Sequence, residues 1–300
     1  MGLLALAAWT LVRTALRPVD ALTREAAGIS LLETGCSLPA VPGDDEIARL
    51  ARTLNDMLAR LRDAAARERA FVDDASHELR TPIAVLRGEL ELALAADRDH
   101  EVRHSLRAAL AEAERLSRLA DDLLLLARDR AGSLVVRTEP VDLLDLAAAE
   151  GRRLGTLHGL RVEVSGDPVV IDADPERLGR ILANLAGNSA TAGASALRIH
   201  IGRGPDGTTL QVADDGPGFP PEMLTAAFAR FARGDDARTR GAHGAGLGLS
   251  IVRAVVTAHG GTVTAANGGP LSGAVVTTRL PRSGAPLQVR GAQGQLEDEP

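Results

Sequence analysis

The sequence predicts a multidomain α + α/β chain, and three observations predict it. Apolar residues recur at steps of three and four through most of residues 13–130, as in long amphipathic helices. From about residue 134, short β-branched runs alternate with helical patterns, which points to an α/β sandwich with helices packed on one face of a mixed sheet. Aromatic residues make up only 2% of the chain, so the cores are built from Leu, Val, Ile and Ala, which suits helix packing. The 300 residues leave room for two or three domains, at least one of them large enough to enclose its own core.

Composition excludes several functions. All 34 basic residues are arginine, a bias that fits a GC-rich genome together with the abundant Ala and Gly. The net charge is −6 and no basic tract stands out, so nucleic acid is not an expected partner. Cys36 is the single cysteine, which rules out an intrachain disulfide and any cysteine-based metal cluster.

The N-terminal run "MGLLALAAWTLV" is apolar for twelve residues before Arg13, shorter than the ~20 that a membrane-spanning helix needs. It has no basic leader or small-residue cleavage site, and Arg13, Arg17 and Arg24 follow closely, as where a helix emerges on the cytoplasmic side. Residues 1–12 are therefore expected to be the C-terminal part of a transmembrane helix that begins upstream of Met1, a short buried or interfacial helix being the alternative. Residues 13–30 carry a helical pattern, "SLPAVPGDD" interrupts it, and a second opens at "DDEIARLARTLNDMLARLRD" with Ile47, Leu50, Leu54, Leu58 and Leu61 in register.

That pattern continues without a cap to Ala96, and a second long helix is expected over roughly 101–130. In it Val102, Leu106, Ala109, Ala113, Leu116, Ala120, Leu123 and Ala127 form a heptad seam. One helical hairpin cannot enclose a core, so a homodimer forming a four-helix bundle is the economical solution. Strands are then expected at "LVVRTE", "RVEVSG", "VVIDA", "LRIHIG", "TLQVADD", "GTVTAA" and "AVVTTRLP", with helices over 141–153, 175–190 and 247–258. Residues 284–300 lack periodicity and are expected to be a disordered tail.

Within the first long helix, "SHELRTP" places His77 about 180 to 240° round the wheel from the stripe Leu79, Ile83, Leu86 and Leu90, facing solvent. Thr81 lies one turn on, about 40° away, and Glu78 is on the flank. A zinc site would need another ligand at i+3 or i+4, where Thr81 stands instead. What remains is an exposed imidazole beside a carboxylate able to raise its nucleophilicity, with Pro82 expected to loosen or bend the helix just beyond.

The α/β region offers the reaction partner. Asn184 and Asn188 stand at i, i+4 opposite the stripe Leu178, Ile181, Leu182 and Leu185, and paired amide oxygens suit a hard cation such as Mg²⁺. "VADDGPGFP" ends a strand with Asp214, able to accept from an exocyclic amine, and with Gly216 and Gly218 to turn closely round a flat ligand. "GAHGAGLGLSIV" brings Gly244, Gly246 and Gly248 to a helix start, where free amides attract phosphate.

In this order the motifs resemble the bacterial two-component sensor histidine kinases over nearly the whole chain. "DDEIARLARTLNDML" resembles the second helix of a HAMP relay, "FVDDASHELRTPIA" a phosphoacceptor site, and "NLAGNSA", "DDGPGF", "FARFARGDDAR" and "GAGLGLSIV" the N, G1, F and G2 boxes of a Bergerat-type ATP-binding domain. The resemblance implies a transmembrane stub over 1–12, HAMP over 13–65, dimerisation and phosphotransfer over 66–130, and the ATP-binding domain over 135–283. It implies that His77 takes the γ-phosphoryl group of ATP, that Glu78 accepts its proton or orients the ring, and that Thr81 positions water for dephosphorylating the regulator. Asn188 with Asn184 would hold Mg²⁺ and Asp214 would read the adenine amino group. Gly216, Gly218, Gly244, Gly246 and Gly248 would shape the pocket and phosphate loop. Residues 228–245 would form a mobile lid, packed down by Phe228 and Phe231, with Arg233, Arg238 and Arg240 toward phosphate.

The implied protein is a homodimer at the bacterial cytoplasmic membrane, its catalytic part cytoplasmic, its partner a cognate response regulator. One departure stands out: after the second asparagine the family commonly carries a basic residue and then an aromatic or histidine, and here Thr191 and Ala192 stand there. Lost phosphate contacts of that kind weaken nucleotide binding by ~1 to 3 kcal/mol. A regulator phosphatase with little kinase activity and a non-enzymatic dimeric scaffold are the alternative functions.

Overall fold

The computed structural model describes residues 46–96, 98–204, 207–231 and 246–281, together with Gly2 and Trp9. The expected membrane helix over 1–12, apart from those two residues, the first part of the HAMP region, most of the lid and the tail lie outside the described residues. Among the described residues no helix is long and apolar enough to cross a membrane.

The chain divides into two compact units, Met1–His77 and Glu78–Pro300. The division falls within the first helix, α1 (Glu46–Ala95), which runs unbroken through Pro82. Pro82 is buried and removes only the bond that the Glu78 carbonyl would have accepted, so the proline does not end the helix.

The second helix is α2 (Asp99–Arg130), with acidic residues in its first turn and Arg128 and Arg130 in its last, as the helix dipole favours. Its predicted seam is left largely at the surface, with Leu106 48% exposed, and Leu110 and, on α1, Ile83 and Leu92 are exposed as well. Of that seam α2 buries Ala109, together with Ser105, Leu119, Leu125 and Leu126 from outside it. The reason is a contact that periodicity does not encode: α2 packs on a helix of the α/β region, α6 (Gly248–Ala258).

Among the described residues the α/β region contains two sheets where the sequence predicts one. In the larger, β2 (Arg161–Gly166), β4 (Ala196–Gly204), β5 (Gly207–Asp214), β7 (Ala274–Leu280) and β6 (Thr262–Asn267) lie in the order β2-β4-β5-β7-β6. Only β2 and β4 are parallel. The smaller pairs β1 (Glu139–Asp142) antiparallel with β3 (Val170–Ala173). The strand expected at "LVVRTE" is not formed, and residues 133–138 are irregular. There the Arg137 amide donates to Asp174 Oδ2 at 3.1 Å instead of to a strand ladder.

Helices α3 (Leu143–His158), α4 (Pro175–Thr191) and α6 cover the larger sheet. The stripe read from the sequence, Leu178, Ile181, Leu182 and Leu185, is at most 3% exposed. It shares the core with Ile199, Ile201, Leu210, Ile251 and Val255, all 0% exposed. A short helix α5 (Pro221–Leu224) follows β5.

Asp174 ties this layer together. Its carboxylate caps α4 by accepting from the Arg177 amide at 3.1 Å, with Pro175 in the first turn. Its own amide donates to His259 Nε2 at 3.1 Å, while His259 Nδ1 faces the Val255 carbonyl at 2.8 Å. Those partners fix a neutral ring with the proton on Nδ1. Burial lowers the pKa of His259 from its ordinary 6.5, against the opposing pull of the Val255 carbonyl and Asp174. The unfolded chain therefore takes up this proton first as pH falls. The stabilisation is fully present above about pH 6.5 and is lost as pH falls through the folded-state value. The drop in Tm between pH 7.5 and 5.5 is expected to be smaller in His259→Gln than in wild type, measured by calorimetry on both proteins.

Candidate functional site

His77 is exposed on α1, and the preceding Ser76 hydroxyl is turned back to the Val72 carbonyl at 2.7 Å. Thr81 is also exposed and Glu78 half-buried. The sequence-predicted residues Asn184, Asn188, Asp214, Gly216, Gly218, Gly246 and Gly248 are all described, whereas Arg233, Arg238, Arg240 and Gly244 lie outside the described residues. Phe228 and Phe231 are half-buried.

Asp214 closes β5 and is 6% exposed. Its Oδ2 accepts from the Ser189 hydroxyl at 2.7 Å, and its Oδ1 accepts from the amides of Gly216 and Ala274, each at 3.0 Å. A carboxylate has about four acceptor positions, so these three bonds leave one. Together with Leu185, Ala192, Phe219 and Leu249, Asp214 lines a cavity of about 110 Å³. A slot with apolar walls and a single spare carboxylate acceptor suits a flat heterocycle bearing an amino group.

The neighbouring Asp215 has a different task. It is exposed, and its carboxylate accepts from the Ser195 hydroxyl at 2.6 Å and from the amides of Ser195 and Ala196 at 2.7 and 2.8 Å. The Ser195 hydroxyl, then these two amides, pull its pKa down to about 2. Of the two adjacent aspartates, one faces the cavity and the other pins the start of β4.

The two asparagines meet at the beginning of α6. Asn184 Nδ2 donates to the Arg180 carbonyl at 2.9 Å, which leaves Oδ1 as its outward end. A Cβ added to Gly248 would stand 3.1 Å from Asn184 Oδ1 and Asn188 Oδ1 and 3.2 Å from Asn188 Nδ2. Gly248 thus leaves open a cradle faced by both side-chain amides, whose oxygens are hard donors that fit Mg²⁺ with phosphate oxygens completing its shell. Among the described residues no three His, Cys, Asp or Glu side chains converge as a metal site.

Two arginines join the α/β region to α2. Arg180, on α4 one turn before Asn184, pairs with Asp122, whose pKa is raised by burial and lowered less by Arg180 itself. Arg230 donates to the Leu126 carbonyl at 3.2 Å and lies 3.6 Å from Asp129.

Sequence reasoning missed Ser189, Phe219 and Asn267. Ser189 was within reach, since it follows Asn188 and sits about 100° round the helix, toward the sheet. Asn267 carried no local signal: its partner, Phe219, is 48 residues away.

Three family models match in chain order: the HAMP domain over residues 10–63, the His Kinase A (phospho-acceptor) domain over 67–132, and the histidine kinase-, DNA gyrase B- and HSP90-like ATPase over 173–284. The probable sensor histidine kinase TcrY of Mycobacterium tuberculosis is 41% identical over 73% of this chain and 49% of its own length. The signal transduction histidine-protein kinase/phosphatase MprB of Mycolicibacterium smegmatis is 36% identical over 98% of this chain and 62% of its own. The chain thus spans roughly half to three-fifths of the length of the curated relatives it matches. Among solved structures, the histidine kinase AdeS of Acinetobacter baumannii aligns with a TM-score of 0.55 at 25% identity, over 68% of this chain and 97% of that one.

Proposed function

We propose, for a chain that belongs to the bacterial two-component sensor histidine kinases by carrying their HAMP, phospho-acceptor and ATPase domains in order, that it phosphorylates itself on His77 from ATP. The phosphoryl group then passes to an aspartate of a separate response regulator. The observation that carries this reading is a single cavity lined by both Asp214 and Asn188, with Gly248 beside the side chains of Asn184 and Asn188.

In the proposed reaction a ring nitrogen of His77 attacks the γ-phosphorus, an N–P bond forms, and the bond to the ADP oxygen breaks. Glu78 holds the ring or takes its proton. Asn184 and Asn188 would hold Mg²⁺, which when bound neutralises phosphate charge. Asp214 would accept from the adenine amine, and Gly216, Gly218, Gly244, Gly246 and Gly248 would let the backbone close round the nucleotide. Arg233, Arg238 and Arg240 would contact phosphate from a lid over 228–245. The apolar residues left exposed on the two long helices favour a homodimer, and the run at 1–12 followed by arginines favours a place at the cytoplasmic membrane.

A second activity, dephosphorylation of the regulator, is favoured by the exposure of Thr81 one turn beyond His77. Thr191 and Ala192 favour it further, since neither can make the phosphate contacts of the basic and the aromatic or histidine residue that commonly stand there.

Incubated with [γ-³²P]ATP and Mg²⁺, the 300-residue chain is expected to gain an acid-labile, base-stable label and to lose it to receiver domains of response regulators. ADP binding without any label would sink the kinase reading and leave the phosphatase one, which release of phosphate from a phosphorylated receiver then measures.

A further inference from the structure

We propose that Asn267 is a positioning residue for the nucleotide base, an inference that rests on the nucleotide-site reading of the Asp214 cavity. Asn267 is the last residue of β6 and is itself exposed. It spends both ends of its amide on one residue, as Oδ1 accepts from the Phe219 amide at 2.8 Å and Nδ2 donates to the Phe219 carbonyl at 2.7 Å. This reproduces the two-bond pairing of an antiparallel bridge with a side chain in place of a strand.

The approach requires glycine next door. Gly218 has φ +78°, and a Cβ on it would stand 2.8 Å from Asn267 Oδ1. Between Asp214 and Phe219 the chain carries two glycines and a proline, so without the amide clasp little local structure would hold the Phe219 ring at the cavity it lines.

The same hairpin also grips the opposite wall. Asn267 pairs with Ala274 across β6 and β7. The Ala274 amide donates to Asp214 Oδ1, and the Gly273 amide donates to the Asp214 carbonyl, both at 3.0 Å. One hairpin therefore sets the spacing between the carboxylate that reads the base and the aromatic ring beside it. A wall placed before the ligand arrives spares the binding step its ordering cost.

Asn267→Ala is expected to raise the Kd for ADP and the KM for ATP about tenfold, about 1.4 kcal/mol, while the autophosphorylation rate at saturating ATP stays within about twofold. Asn267→Asp keeps the acceptor and loses the donor, and is expected to fall between alanine and wild type. It also serves as the readable variant if the alanine protein folds poorly. Titration calorimetry with ADP on the full-length proteins, beside a KM and kcat determination, makes the test. A fall in kcat with KM unchanged, or an ADP Kd within about twofold of wild type in both variants, overturns the positioning role. Asp214→Asn separates the two levels. If it weakens ADP while the Asn267 variants do not, the positioning role alone fails; if it too leaves ADP untouched, the nucleotide reading falls and the role of Asn267 with it.

Discussion

The 300-residue protein carrying His77→Ala is expected to take up no label from [γ-³²P]ATP, a loss of about a thousandfold or more, because the substitution removes the imidazole proposed to form the new bond. ADP affinity and Tm are expected to stay close to wild type. His77 is exposed on a regular helix, and alanine is the strongest helix former, so replacing it empties no core and costs the helix nothing. That separation of effects gives the experiment its force: activity disappears while fold and nucleotide binding persist. The chain has six other histidines as competing acceptors. His259 is 3% exposed and hydrogen-bonded at both nitrogens, which removes it from competition. His100 and His104 are exposed near the turn between α1 and α2 and are the serious rivals. A residual acid-labile, base-stable label in the His77→Ala protein would overturn the assignment, and its loss on replacing His100 or His104 would show where the acceptor lies.

The exposure of His77 was readable because helical angle is a local property, which set the ring about 180 to 240° round from the stripe through Leu79 and Ile83. The stripe of α4 was readable for the same reason, since a period of 3.6 residues reports which side of a helix meets a sheet. Reading stopped wherever the deciding partner lay far along the chain. The β-branched run at "LVVRTE" has strand composition, yet the Arg137 amide is bonded to the Asp174 side chain, 37 residues on, and not to a strand ladder. The heptad of α2 is genuine in the sequence, but Leu119 and Leu126 are buried in one chain while Leu106 stays exposed, because α6 claims part of the helix. Asp214 and Asp215 are chemically identical in sequence. Only the register of β4 with β5, which turns one into the cavity and leaves the other to bind Ser195 and Ala196, gives them different tasks.

Asn188→Ala is expected to abolish the Mg²⁺ dependence of ATP binding and to lower phosphoryl transfer by about a hundredfold or more, the scale seen when one group aimed at developing charge is removed. The structure separates this from general damage. Asn188 is exposed on α4, so alanine there favours the helix and empties no core. Asn188 shares the lining of the Asp214 cavity, but the bonds that hold Asp214, from Ser189, Gly216 and Ala274, do not involve it. ADP measured without divalent cations should therefore bind the variant within about twofold of wild type, while added Mg²⁺ should no longer tighten ATP. Gly248→Ala supplies an independent route to the same outcome, since its methyl group would stand 3.1 Å from the oxygens of both Asn184 and Asn188 and fill the space between them. Two substitutions of opposite kind, one deleting a proposed ligand and one blocking the cradle, are expected to converge on a single phenotype. If Mg²⁺ still tightened ATP in the Asn188→Ala protein, the cation would have to be held elsewhere, and the paired asparagines would be reduced to the outer face of a helix.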